Sequence, residues 1–239
     1  MPVLTARAAG VRRRRHWLFR DLDVAVEPGE LVAVVGPPGS GRTTVLLSLA
    51  KRFRLAAGNV TAEGRVALGY VPEVTAPEPV FTVTEHVRER LSLLGRRRRE
   101  ADGVDLLGLD PDKKGRDLSP YEKQVLGLVL AQLERPAVIA LDGLDEGLDQ
   151  REQAALLEHL TGIAATGPAV LLTAREIGPA LVTTVIHLGA EHPSTDAPVE
   201  AAGDGAQPVP AEEVAADRAA GGEQTETADG EAGADEGER

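Results

Sequence analysis

The chain contains no cysteine, so disulfides and thiolate metal sites are excluded; this suits a reducing compartment without requiring one. Aromatic residues are scarce at 3%, with one tryptophan and one methionine. No run approaches the ~18 to 20 consecutive apolar residues of a membrane span. The N-terminus has no apolar stretch ahead of a cleavage site, so a signal peptide is not expected either. These absences together lead to the expectation of a soluble, cytoplasmic protein.

The 239 residues present are 42% apolar, enough to fill the core of one large α/β domain. The formal net charge is −12, but its location changes its meaning. Residues 191–239 hold 14 acidic and 2 basic side chains, so residues 1–190 carry 24 of each sign and no net charge. The acidic segment is rich in Ala, Gly, Glu, Asp, Pro and Thr and lacks apolar periodicity. Such a composition cannot bury enough surface to offset its ordering entropy, so a disordered tail is expected, serving solubility or docking to a basic partner. A neutral core with an acidic tail argues against nucleic acid.

Periodicity gives the organisation of residues 1–190. Residues 3–28 alternate loosely as strands, and Pro28-Gly29 turns the chain into an apolar strand at 31–35. Two short strands separated by Glu63-Gly64 are expected between Gly58 and Val71, then a helix over Val83–Leu94. Further helices are expected over Ser119–Leu133 and Asp149–Ile163, with strands at 138–141, 169–173 and 183–188. Alternating strands and helices with continuous apolar runs predict an α/β fold with a largely parallel sheet flanked by helices. The charge runs Arg12–Arg15 and Arg96–Arg99 read as solvated faces, or as contacts to an acidic surface or lipid head groups.

The densest chemistry lies at Val32–Thr44. A buried strand runs into Gly36-Pro37-Pro38-Gly39-Ser40-Gly41-Arg42-Thr43-Thr44, a glycine-rich turn that opens a helix. This matches the phosphate-binding P-loop (Walker A) except at Arg42, where that motif has lysine. The glycines let the backbone aim successive N–H groups inward, and the helix opening adds the positive end of its dipole, so the loop suits a polyphosphate. Thr43 is placed to offer its hydroxyl to Mg²⁺.

About a hundred residues later comes Leu118-Ser119-Pro120-Tyr121-Glu122-Lys123-Gln124, then Val138-Ile139-Ala140-Leu141-Asp142 and Gly147-Leu148-Asp149. This order resembles the ATP-binding cassette (ABC) ATPase family, in which a signature loop opens a helix, an apolar strand ends in a metal-binding Asp, and a GLD turn follows. The resemblance continues through Glu27-Pro28-Gly29-Glu30, Gly69-Tyr70-Val71-Pro72 and Thr82-Val83-Thr84-Glu85, and covers roughly residues 3–190. It implies an ABC-type P-loop NTPase domain over 1–190, with a small helical subdomain at about 74–134. It also implies ATP and Mg²⁺ as ligands, with Thr43, Asp142 and the Q-loop residue Glu73 at the metal and Ser119 completing the site from the signature. A head-to-tail dimer of such domains, homo- or heteromeric, and a membrane-spanning subunit in trans at the inner face of the cell membrane follow from the same resemblance.

Five departures bear on catalysis. Arg42 keeps the charge of lysine in a wider, planar fork. Gly143 stands where active members have the glutamate that polarises water, and a lost general base typically costs roughly 100- to 10,000-fold in rate. Glu73 replaces glutamine, and Arg175 stands at the switch histidine. Pro120, which has no N–H, and Tyr121 replace the signature glycines. No catalytic residue is therefore assigned. The expectation is a nucleotide-binding subunit with impaired or absent hydrolysis, a regulatory or structural partner of a membrane protein. The alternative is an active transporter ATPase with Glu73 or Glu146 replacing Gly143. The family's base-stacking aromatic has no clear counterpart around Val11–Arg15; His16 and Trp17 are nearby, with Trp17 expected to be packed.

Overall fold

The computed structural model describes residues 1–189; the acidic segment expected to be disordered lies outside the described residues. Strands β1 (Leu4–Arg13), β2 (His16–Val26) and β4 (Ala57–Ala62) form an antiparallel sheet in the order β2-β1-β4. Strands β3 (Leu31–Val35), β5 (Val66–Leu68), β6 (Val138–Leu141), β7 (Ala169–Ala174) and β8 (Thr184–His187) form a second sheet in the order β5-β6-β7-β3-β8. Every pairing in the second sheet is parallel.

The continuous apolar runs are explained by this second sheet, whose central strands β3, β6 and β7 are buried along their whole length. One apolar cluster packs against helices α3 (Pro120–Gln132) and α4 (Gln150–Ala165) and includes Leu126, Ile139, Leu156, Leu160 and Leu172. The other holds Val45, Leu46 and Leu49 of helix α1 (Arg42–Leu49) together with Leu4, Val11 and Val26 of the antiparallel sheet. The antiparallel sheet is an addition to the sequence expectation. The two strands expected between Gly58 and Val71 do form, but in different sheets, parted at Gly64, whose φ of 105° admits glycine readily.

Helix α2 (Val83–Leu93) and α3 share a smaller cluster of Val87, Leu91, Ala101, Val129 and Leu133. Three helices begin on capping boxes: Thr82 with Glu85, Ser119 with Glu122, and Asp149 with Glu152. In each, the cap oxygen accepts the N–H three residues on while the acidic side chain accepts the cap's own N–H. Segments singled out in the sequence as motifs are thus also the physical starts of helices.

Candidate functional site

The loop Gly36–Gly41 connects the C-terminal end of β3 to α1, at the edge of a parallel sheet where open α/β folds place ligands. Gly39 and Gly41 have φ of 81° and 92°, and Gly41 is the N-cap of α1 without any side-chain cap, which leaves the first N–H groups of the helix to another partner. A Cβ at Gly36 would stand 2.7 Å from the Leu188 carbonyl oxygen and from Ser40 Oγ, so only glycine fits there. A Cβ at Gly39 would meet nothing within 4 Å, so the outer side of the loop is open. Ser40 Oγ is buried without a hydrogen-bond partner among the described residues. Pro37, Pro38 and Gly39 are exposed, and Thr44 is half-buried.

Thr43, in the first turn of α1, donates its hydroxyl to Asp142 Oδ2 at 2.8 Å. Asp142 directly follows β6, is 6% exposed, and accepts a second bond at Oδ1 from Thr173 on the adjacent strand β7. Gly143 N donates to the same Thr173 hydroxyl at 2.8 Å. The Gln124 amide, from α3, donates to the Asp142 and Gly143 carbonyls at 2.8 and 3.2 Å. A hydroxyl and a fixed carboxylate side by side beneath an open loop of N–H groups fit a Mg²⁺-bound polyphosphate. Nothing in the motif spacing singled out Thr173; only its place at the end of β7, one strand from Asp142, would have.

The remaining expected residues are distributed differently. Glu73 lies exposed on the turn after Pro72, at a φ of 63°, and makes no hydrogen bond or ion pair among the described residues. Ser119 caps α3, receiving the Glu122 N–H at 3.2 Å. Tyr121 folds its ring against the core. Arg175 is bound through both its backbone N–H and its Nε to Asp145 Oδ2 at 3.0 Å.

Arg42 is 9% exposed and is engaged by the acidic turn after β6. Its Nη2 lies 3.4 Å from Glu146 Oε1 and its Nη1 4.0 Å from Asp145 Oδ1. Glu146 in turn lies over Gly143: a Cβ added there, at a φ of 73°, would stand 3.1 to 3.2 Å from the Glu146 Cβ, Cγ and Cδ. Burial, and secondarily the charge of Glu146, push the Tyr70 phenol up. Tyr70, Lys123, Gln124, Asp142 and Glu146 together line a recess of about 190 Å³.

Trp17 departs from expectation. It is 39% exposed rather than packed, because it lies on β2 outside both cores, with the Arg12 guanidinium 5.8 Å from its ring centre. It lines a recess of about 360 Å³ with Leu18, Arg20, His187 and Ser40 of the glycine loop.

Comparison with known proteins agrees with this geometry. The ABC transporter family model matches residues 19–144. The zinc import ATP-binding protein ZnuC of Jannaschia sp. (strain CCS1) is 32% identical over 182 residues, covering 74% of each chain. That of Ruegeria pomeroyi is 34% identical, covering 74% of this chain and 70% of the relative. Among solved structures, an ATP-binding subunit of an ABC transporter superposes with a TM-score of 0.64 at 22% identity, covering 78% of this chain and 85% of that one. The dimeric cassette MJ0796 in a post-hydrolysis state with ADP and Pi superposes with a TM-score of 0.64 at 19% identity, covering 77% and 94%. With the strand–loop–helix at Gly36–Thr44, the carboxylate at the end of β6 and these relatives in agreement, the chain belongs to the ABC transporter family, as one of its ATP-binding domains.

Proposed function

We propose that this chain binds Mg-ATP at the glycine loop, hydrolyses it very slowly or not at all, and works as a regulatory or structural partner of a membrane-spanning subunit. One observation carries the reading: Thr43 and Asp142 are joined at 2.8 Å, while the next position, Gly143, has no side chain to polarise water. Binding and turnover are thereby separated, since the groups that hold Mg²⁺ are present and the general base is not. Gly36, Pro37, Pro38, Gly39, Ser40 and Gly41 would cradle the phosphates, with Thr44 behind them and Arg42 supplying charge. Thr43 and Asp142 would hold Mg²⁺, with Glu73 approaching from its exposed turn. The recess beside Trp17 and Leu18, next to Ser40, suits the base end of the nucleotide.

In a head-to-tail dimer, Ser119 of one copy would complete the other copy's site. The signature offers it little else, because Pro120 has no N–H and Tyr121 is packed inward. The relatives named as zinc import proteins make divalent metal uptake the first cargo class to test. A second reading has one observation in its favour. Glu146 fills the space that a side chain at position 143 would enter, so its carboxylate is a candidate replacement for the missing base.

Single-turnover measurement with γ-labelled ATP, Mg²⁺ and excess protein tests both. Retained label without phosphate release, lost in Asp142→Ala, supports the first reading. Release that is abolished by Glu146→Gln replaces it with the second, and the absence of both retained label and released phosphate removes the nucleotide role.

A further inference from the structure

Arg42 is the only P-loop side chain carrying positive charge, yet it is committed elsewhere. Its guanidinium is buried and lies against Glu146 Oε1 at 3.4 Å, while its Nη1 and Asp145 Oδ1, both buried, face each other at 4.0 Å without a hydrogen bond. Asp145 is fixed from the far side by Arg175, through two bonds of 3.0 Å. Glu146 has only Arg42 as an ionic partner among the described residues, and its side chain is 51% exposed. It reaches that position by lying across Gly143, where an added Cβ would crowd it at 3.1 to 3.2 Å. The glycine that removes the general base is therefore also what admits a carboxylate to the P-loop cation.

We infer that Glu146 is a positioning residue that competes with a bound polyphosphate for Arg42. Without nucleotide, Glu146 holds the guanidinium against the acidic turn; the β- and γ-phosphates of an incoming nucleotide take the guanidinium over and release the carboxylate. Glu146 holds the fork by a single 3.4 Å contact, whereas a phosphate can accept from both prongs, so the handover needs a change of side-chain angle and no movement of α1. The half-satisfied state of the guanidinium, with Nη1 unpartnered, favours the exchange, since a buried donor left unpaired is costly. Nucleotide binding at the loop would thus be reported to the turn between β6 and α4 by the release of Glu146. The inference rests on the nucleotide reading proposed above.

Calorimetric titration of the full chain with Mg-ATP and with AMP tests it, in the wild type, Glu146→Gln, Arg42→Gln and the double variant. The expected result is that Glu146→Gln tightens Mg-ATP by about twofold to fivefold, the scale of a lost competing ion pair. AMP, which lacks the β- and γ-phosphates, keeps its affinity, and the gain disappears when Arg42→Gln is already present, as coupling through one side chain requires. A merely structural role for Glu146 would not tighten binding. Unchanged or weakened Mg-ATP binding in Glu146→Gln overturns the competition. So does a gain that is equal for AMP, or one that persists in the double variant, which would mark a general charge effect. If none of the four proteins binds Mg-ATP, the nucleotide reading falls first and the competition with it.

Discussion

The Thr43 hydroxyl donates to Asp142 Oδ2 at 2.8 Å, joining the first turn of α1 to the end of β6 across 99 residues of sequence. With Thr173 bonded to the other oxygen, Asp142 is held at both carboxylate oxygens beside the P-loop hydroxyl. If Mg²⁺ is held there, Asp142→Asn weakens Mg-dependent ATP retention by at least about tenfold. Thr43→Val, which removes the other proposed metal ligand, weakens it comparably, and Thr173→Val, which removes only a partner of the carboxylate, weakens it by about 10- to 100-fold. Filter binding of labelled ATP with Mg²⁺ or with chelator reads all three; equal retention in chelator would show that retention does not depend on the metal, and unaltered Mg-dependence in Asp142→Asn would place the metal elsewhere.

Restoring the family's glutamate should fail by itself. Gly143 has a φ of 73°, in the left-handed region, and a Cβ there would crowd the Glu146 side chain at 3.1 to 3.2 Å. Gly143→Glu is therefore expected to cost about 1 to 3 kcal/mol of stability from backbone strain and to leave phosphate release at background. The double variant Gly143→Glu with Glu146→Ala relieves the crowding and is expected to release more phosphate than either single change. Thermal melts and single-turnover assays on the three proteins decide this, and full turnover in Gly143→Glu alone would show that the turn rearranges freely.

The single tryptophan of the chain is a built-in reporter. Trp17 shares its recess with Ser40 of the glycine loop and faces the Arg12 guanidinium at 5.8 Å. Occupation of that recess by an adenine changes its surroundings, so Mg-ATP should shift or quench the intrinsic fluorescence, whereas inorganic triphosphate should not. Trp17→Ala is expected to lower ATP affinity by about 5- to 100-fold, the scale of a lost stacking contact. An unaltered spectrum at saturating ATP would place the base outside the recess.

Glu122 links stability to pH. Desolvation pushes its carboxyl up, but the Lys113 ammonium at 2.7 and 2.8 Å and the bonds to Ser119 outweigh this and hold it below its ordinary range. A carboxyl lowered in the folded state stabilises the protein above the unfolded value, and that contribution is lost as pH falls through the folded value. Glu122→Gln should therefore cost about 1 kcal/mol at pH 7, from the cap and the ion pair, and progressively less on acidification below about pH 4. Urea melts from pH 7 to pH 3 measure this; a difference that grows on acidification would contradict it.

Much of the scaffold was legible in the chain itself. Helix starts at Thr82, Ser119 and Asp149 are set by exchanges between residues three apart, and the buried strands β3, β6 and β7 by continuous apolar runs. The glycine loop was equally plain, since positive φ at Gly39 and Gly41 is a local demand of the turn. These features depend on neighbours within one turn of helix or one strand, which the order of residues states directly. The exposure of Trp17, the bond of Thr173 to Asp142, the folding of Glu146 over Gly143 and the capture of Arg42 by Glu146 were decided by tertiary structure. Each depends on which strands become neighbours and which turn faces which helix, and the Arg42–Glu146 contact spans 104 residues. The sequence by itself determined a glycine-rich P-loop, a carboxylate at the end of an apolar strand and a glycine directly after it; the packing of the sheet decided what lies over that glycine.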